Sequence, residues 1–345
     1  MKNIKSIPFV ILSVGLCIFC FFFPTDVKLA VGEGINRCIS VIIPSLYAMI
    51  TASAILIKGG ILSVIGRYIA PLTRRIFGMD GEEGSIFLFS LVSGYPVGAK
   101  MIYSMYTEGR LSKRNAELMA GLCFGSGTAF IFGCAASSAE IGKAILISNI
   151  TAEILLAAVM SIYFRRSENL EKKSRKTGIS ADMLTECVCS SGKSLGEMCC
   201  CVVIFSVLAK ILEKIGFFGY ISANGGIIKA ILDITAISEI SVDVPTAAAL
   251  ISFGGLCVFF QISAIFRGKL SMLPFLMIRT AATFLSWGIC RIYLKFFVSE
   301  KAAMVFAPVS RFHSESSPVP SVMLILMTGV VILETAKIHK IKPAE

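Results

Sequence analysis

The chain has 345 residues, of which 55% are hydrophobic and only 16% charged, and its mean hydropathy is +0.80. Because soluble domains carry about 25% charged residues, this composition excludes an ordinary soluble protein and predicts an all-α polytopic membrane protein. The net charge of +11 is attributed to cytoplasmic loops, where membrane proteins concentrate Lys and Arg, and not to nucleic-acid binding.

Apolar runs recur along the chain, and several approach the ~20 residues that span a bilayer. The first run, 7–23, follows Lys2 and Lys5 as in a signal peptide, but no small-residue cleavage site follows it, so a retained helix is favoured. The stretch 66–77 predicts an interfacial amphipathic helix with a basic face. The other runs lie at roughly 38–57, 85–106, 118–137, 143–164, 193–212, 225–242, 245–266, 272–297 and 319–333.

Two of these runs, 85–106 and 225–242, are interpreted as re-entrant hairpins that enter and leave the membrane on one side. With a cytoplasmic N-terminus, this topology has about eight full crossings, a cytoplasmic C-terminus and most basic residues inside, in agreement with the positive-inside rule. If 85–106 crossed once instead, the basic stretch 110–114 would lie outside. The hairpin interpretation is therefore preferred.

The same topology predicts an inverted repeat. Each unit has a helix, a re-entrant hairpin, a glycine-broken helix and a final helix, and the two units begin on opposite sides of the membrane. Inverted repeats are typical of transporters, whose substrate site lies where interrupted segments meet. The predicted parts are an N-terminal helix with an outer loop (1–34), a first repeat (35–164), a basic cytoplasmic linker (165–185), an inverted second repeat (186–297), and an outer loop, last helix and basic cytoplasmic tail (298–345).

The stretch SLVSGYPVGAK (90–100) interrupts the first hairpin. Non-helical backbone is tolerated at membrane depth only where it is buried in protein or lines a wet cavity, and a helix N-terminus there favours an anion. Lys100 would add a full positive charge, or would only extend to the membrane interface and anchor the hairpin. For the small residues, the alternative is close helix packing alone. The candidate substrate-binding residues are Ser93, Gly94, Tyr95, Pro96, Lys100, Gly125, Ser126, Gly127, Thr128, Gly254, Gly255 and Gln261.

Charged and polar residues within the predicted spans are candidates for coupling or structural roles, because intramembrane charges are costly. Glu153 and Arg279 lie in the final helices of the two repeats, where they either pair or act separately in a wet cavity. The second hairpin carries a polar set that suits a coupling proton or cation better than a dianion, unless its carboxylates lie at a solvated tip. This set is Asp233, Thr235, Ser238 and Glu239.

Other motifs predict no further chemistry. The stretch CSSGKS (189–194) lacks the first glycine of a phosphate-binding loop, which would fall at Cys187, and no strand precedes it. The twelve cysteines are interpreted as small apolar residues, and both histidines lie near the C-terminal end. We therefore expect no metal, no cofactor and no disulfide. An enzyme is not expected either, because the sequence lacks a cluster of carboxylates or histidines at one membrane face.

Three stretches carry a resemblance to a known family. SGYPVGAK, EGRLSKRNAELMAGLCFGSGTAFIFG and LISFGGLCVFFQISAI resemble the sporulation integral membrane proteins of the YlbJ/SpoVV type. These are members of the nucleoside-recognition (Gate) domain family, which is related to concentrative nucleoside transporters. The resemblance covers roughly 35–297, and SGYPVGAK is its most specific part.

The resemblance implies a transporter that moves dipicolinic acid across the outer forespore membrane, which derives from the mother cell. Dipicolinate is a planar aromatic dianion, and cations, backbone N–H groups and an aromatic slot at the residues above suit it. A nucleoside or another small carboxylate remains an alternative substrate. A non-transporting membrane assembly protein of sporulation is the other class left open, and the sequence does not give an oligomeric state.

Overall fold

The computed structural model describes residues 7–136, 138–164, 180–217 and 225–297, and every regular element in these ranges is helical. The prediction of an all-α fold is therefore confirmed for the described residues. The predicted span 319–333, the basic tail and most of the predicted linker lie outside these ranges.

The helices are numbered here in chain order, and short turns between them are named by their residues. They are α1 (Ile7–Phe22), α2 (Pro24–Lys58), α3 (Ile61–Ile76), α4 (Gly81–Ser93), α5 (Val97–Thr107), α6 (Lys113–Leu122), α7 (Ala139–Val159), α8 (Ala181–Lys214), α9 (Gly225–Leu232), α10 (Val244–Phe253), α11 (Gly255–Phe266) and α12 (Leu273–Phe297).

Five helical stretches in the described part of the chain are long and apolar enough to cross a membrane. They are Pro24–Lys58, Ala139–Val159, Ala181–Lys214, Val244–Phe266 and Leu273–Phe297. Each exceeds the ~20 residues that a bilayer requires. A shorter apolar helix, Ser13–Phe22, precedes them.

Two of these spans are longer than their apolar runs predict. The helix α2 begins at Pro24, because proline at the first helical position lacks only an N–H that would be unpaired there anyway. The helix α8 begins after Ser180, whose side chain caps it by accepting from the Met183 N–H. Residues 24–34, expected in an outer loop, and 181–185, expected in the linker, are therefore helical.

The amphipathic helix predicted at 66–77 is observed as α3 and packs closely on α4. Gly66 makes this possible, because a Cβ there would lie 2.7 Å from the carbonyl carbon of Gly81. On the opposite side, the Tyr68 side chain is 80% exposed. One face of α3 is thus fixed to the fold, and the other carries exposed apolar and basic residues.

Three interruptions expected from glycine and proline occur at the predicted places, and a fourth lies at Asp233. Between α4 and α5 the chain turns at Gly94, which has a φ of +85° and needs no side chain there. After α6, non-helical residues 123–127 separate it from a short helix, Thr128–Phe130. In the second half, Asp233 separates α9 from a 3₁₀ turn, Ile234–Glu239. The break between α10 and α11 lies at Gly254.

Helices from the two halves of the chain pack as antiparallel pairs. Lys58, at the end of α2, forms an ion pair with Glu186 near the start of α8. At the other end of the pair, Lys214 lies 3.0 Å from Asp26. The helices α7 and α12 are antiparallel as well, since Glu153 contacts Arg279 while the earlier Asn149 contacts the later Ser286.

Candidate functional site

A small cavity of about 40 Å³ lies where three of the four interruptions meet. Its walls come from the turn between α4 and α5, from residues 126–130, from the turn after α9, and from the helices α2, α8 and α11. Six of the residues predicted from the sequence line it: Gly94, Tyr95, Ser126, Asp233, Thr235 and Gln261. The fold thus gathers, in one place, residues that are up to 167 positions apart (261 minus 94). We call this space the central cavity.

The turn between α4 and α5, which we call the hairpin tip, packs directly on the non-helical residues 123–127 of the first broken helix. A Cβ on Gly94 would lie 3.1 Å from the Cα of Gly127, and a Cβ on Gly125 would collide with the carbonyl oxygen of Ser90. These glycines therefore allow two backbones to approach, which is the packing role left open by the sequence. Of the three, only Gly94 also lines the central cavity.

Two hydroxyls at the hairpin tip have no hydrogen-bond partner among the described residues. They are Ser93 Oγ and Tyr95 Oη, and both are buried. Buried polar groups are nearly always hydrogen-bonded to protein or ordered water. Because the Tyr95 side chain also lines the central cavity, its hydroxyl marks a place where a water or a ligand atom would be stabilised.

A buried stack connects the hairpin tip to the charged pair Glu153–Arg279. The Tyr95 and Phe124 rings stack with centroids 4.6 Å apart, and the Arg279 guanidinium lies 4.8 Å from the Phe124 centroid on a cation–π contact. Arg279 binds the Glu153 carboxylate in a bidentate manner, at 2.7 and 2.8 Å, and also donates to the Ser252 carbonyl. The sequence left open whether these charges pair, and the structure shows that they do.

Ser126 is held at the cavity wall by a hydrogen-bonded chain of buried side chains. Asn149 donates its Nδ2 to Ser126 Oγ at 2.8 Å, and its Oδ1 accepts from the Ser286 hydroxyl. Side chains of α7 and α12 thus hold the Ser126 hydroxyl in place. Thr128, two residues later in the sequence, is only partly buried and does not line the cavity.

Asp233 presents a buried carboxylate to the central cavity. It caps the 3₁₀ turn by accepting from the Thr235 N–H at 3.0 Å and from the Thr235 hydroxyl at 2.7 Å. Arg37 Nη1 lies 3.5 Å from its Oδ2. The alternative of a solvated tip is therefore wrong for Asp233, which is 2% exposed. Ser238 donates to the Thr235 carbonyl, and the Glu239 side chain is outside the described part of the structure.

The other predicted residues take different positions. Lys100 lines a second, larger cavity and donates to Ser194 Oγ at 2.7 Å. Gly254 packs on the Phe124 ring, and Gly255 approaches the backbone of residues 230–234 at the second hairpin. Pro96 is buried beside the hairpin tip without lining the central cavity.

Sequence reasoning missed Arg37 and Met198, which shape the site from the two long helices. Arg37 directly precedes the apolar run 38–57, and the predicted topology places it on the outer side of the membrane, before the span begins. The signal that would have found it is Pro24, since a helix beginning there carries Arg37 more than three turns inward. Met198 lies in an unremarkable apolar stretch, and only the packing of α8 brings it to the cavity.

These long apolar helices define an integral, multi-pass membrane protein that contacts the lipid bilayer. Over 139 residues, the chain is 29% identical to the sporulation integral membrane protein YlbJ of Bacillus subtilis (strain 168). The match covers 39% of this chain and 34% of that protein, so the chain matches about a third of the length of this curated relative. No protein-family model and no solved structure matches the chain.

Proposed function

We propose that the protein is a membrane transporter for a small anionic aromatic metabolite, with dipicolinic acid as the favoured substrate. The central cavity carries this proposal, because three separate backbone interruptions line it, at Gly94, Ser126 and Asp233, and supply polar groups to an otherwise apolar interior. The relative YlbJ is named a sporulation protein, which supports a role in sporulation. The membrane is then the outer forespore membrane, with both termini cytoplasmic.

The antiparallel pairs α2–α8 and α7–α12 support an inverted repeat as the architecture of this transporter. In such a repeat, equivalent helices run in opposite directions, as the members of each pair do. A cavity of about 40 Å³ holds only a few water molecules. We therefore infer that the described conformation is a closed one and that the hairpin tips separate when substrate enters.

Transport is tested by uptake of labelled dipicolinate into proteoliposomes that contain the purified protein. We expect saturable uptake that unlabelled dipicolinate competes away and that uridine does not. Competition by uridine alone would identify a nucleoside transporter. Absence of uptake for dipicolinate, uridine and benzoate, in protein shown to be folded, would contradict transport and favour an assembly role.

The Tyr95→Phe variant separates ligand binding from folding. Its hydroxyl has no described protein partner, so its removal should leave thermal stability unchanged or slightly higher. A hydrogen bond to a charged ligand contributes about 1.5–3 kcal/mol, so uptake at subsaturating dipicolinate should fall roughly tenfold to hundredfold. Tyr163→Phe, at an exposed position, is the matched control. Uptake by Tyr95→Phe equal to that of Tyr163→Phe would remove this hydroxyl from the site.

The proposed orientation is tested by single cysteines in a chain without its native cysteines. Lys113→Cys, at a side chain that is 63% exposed, should react with a membrane-impermeant maleimide only from the cytoplasmic side. Lys214→Cys, 46% exposed at the opposite end of α8 from Glu186, should react only from the outside. Labelling of Lys113→Cys from the outside and of Lys214→Cys from the cytoplasm would contradict the hairpin interpretation of 85–106, because a single crossing there would exchange the two sides.

A further inference from the structure

The second cavity is larger than the central one and differs from it in charge. It has a volume of about 370 Å³ and lies between α5, α8 and α11. That volume falls within the ~300–1,000 Å³ of ordinary small-molecule pockets. Its charged residues are Lys100, Arg267 and Glu197, which give it a net positive charge.

Both cations of this cavity lack a carboxylate partner among the described residues. The Lys100 ammonium donates to a neutral hydroxyl, Ser194 Oγ, at 2.7 Å, and Arg267 forms no ion pair there. Glu197 lines the same cavity without forming an ion pair with either cation. Lys100 lies on the hairpin helix α5 and is partly buried, so its charge is costly. Glu197 compensates part of this charge from the same cavity, and a bound anion would add the rest.

The two cavities adjoin each other at two side chains. Met198 of α8 and Gln261 of α11 line both of them, so these residues form the partition between the cavities. Both are buried, at 4% and 7% exposure. Methionine is unbranched and adapts its shape readily, so this partition can open by a change of side-chain conformation.

We propose that the second cavity is an anion-binding antechamber. A small carboxylate binds there between Lys100 and Arg267 and then passes the Met198–Gln261 partition into the central cavity. The binding part of this inference stands on the charges alone, whereas the passage part rests on the proposed transport function. In the orientation proposed above, the antechamber lies toward the cytoplasmic side, which carries Lys113.

Equilibrium binding of labelled dipicolinate to the detergent-solubilised full chain tests the antechamber. Charge-assisted hydrogen bonds to carboxylates are the strong ones, so Lys100→Met and Arg267→Met should each weaken binding by about tenfold. Glu197→Gln should tighten binding about threefold, because it removes a like charge. Lys193→Met makes the same charge change at an exposed position of α8, next to Ser194, and should bind as the parent does.

Weaker dipicolinate binding in the cation variants together with tighter binding in Glu197→Gln distinguishes an anion site from a merely structural cluster. Equal weakening by Glu197→Gln and Lys100→Met would overturn the antechamber, as would parental binding in both cation variants. The uncharged diamide of dipicolinic acid provides a second readout. It should bind at least tenfold more weakly than dipicolinate to the parent, and equal binding of the two probes would also overturn the site.

The partition is tested by changing the volume of Met198. Met198→Phe should retain dipicolinate binding while uptake into proteoliposomes falls at least tenfold, because a larger, stiffer side chain blocks the passage. Met277→Phe makes the same change at a side chain of α12 that is 65% exposed, and it should transport as the parent does. Normal uptake by Met198→Phe would overturn the passage. Failure of the parent itself to transport would overturn the proposed function but would leave the binding result standing.

Discussion

Replacement of Arg279 by methionine is expected to lower the free energy of unfolding by about 3–5 kcal/mol. The substitution leaves Glu153 buried without its bidentate partner, and removal of one member of a buried ion pair typically costs this much. It also removes the cation from the face of Phe124. The measurement is the denaturation midpoint in detergent or bicelles, compared with the parent protein.

A matched control and a double variant separate the ion pair from a general loss of packing. Arg291→Met makes the same change on the same helix at an exposed position over Trp287, and it should change stability by less than about 1 kcal/mol. Glu153→Gln combined with Arg279→Met should recover part of the loss, because the unpaired carboxylate is gone. A single Arg279→Met variant as stable as the parent would contradict the structural role of the pair.

Replacement of Gly125 by alanine is the second substitution with a large expected effect. The added methyl group would collide with the carbonyl oxygen of Ser90 and would lie 2.7 Å from the carbonyl carbon of Leu91. Backbone atoms cannot give way as a flexible side chain can, so the hairpin tip must separate from the broken helix. We expect a loss of about 3 kcal/mol or more.

The control for Gly125→Ala is the same change at Gly196 in the middle of α8. A Cβ at Gly196 meets no atom within 4 Å, and alanine favours the helix by about 0.5–1 kcal/mol over glycine. The midpoint temperature of thermal denaturation should therefore fall for Gly125→Ala and rise for Gly196→Ala. A Gly125→Ala protein that unfolds at the parental temperature would show that the hairpin tip and the broken helix are not in tight contact.

The positions of the interruptions were predictable from sequence because they have local causes. Glycines and a proline inside apolar runs disfavour helix wherever they occur, and the structure breaks at Gly94, at 123–127 and at Gly254. The starts of α2 at Pro24 and of α8 after Ser180 also have local signals. A search for apolar runs nevertheless places the start of each span too late. The first residues of α2 and α8 are polar enough to pass for loops.

The division of the site into two cavities was not predictable in the same way. Lys100 and Tyr95 are five residues apart, yet Lys100 lines the larger cavity and Tyr95 the central one. Which space a side chain enters depends on how α8 and α11 pack against the hairpin, and their residues come some hundred positions later in the chain. A single sequence carries no local signal for such a long-range arrangement.

Because helices from the two halves of the chain pair with each other, the ribosome makes the two partners of each contact at different times. Glu153 and Arg279 are 126 residues apart in the chain, and ribosomes add about 5–20 residues per second. The carboxylate is therefore made about 6–25 s before its partner. During that interval α7 lacks its partner helix α12 in the membrane, whereas α2 can pair with α8 as soon as residue 214 has been made. A chain that stops before α12 would therefore keep the Glu153 carboxylate without its cation, and such an unpaired charge is costly inside a membrane.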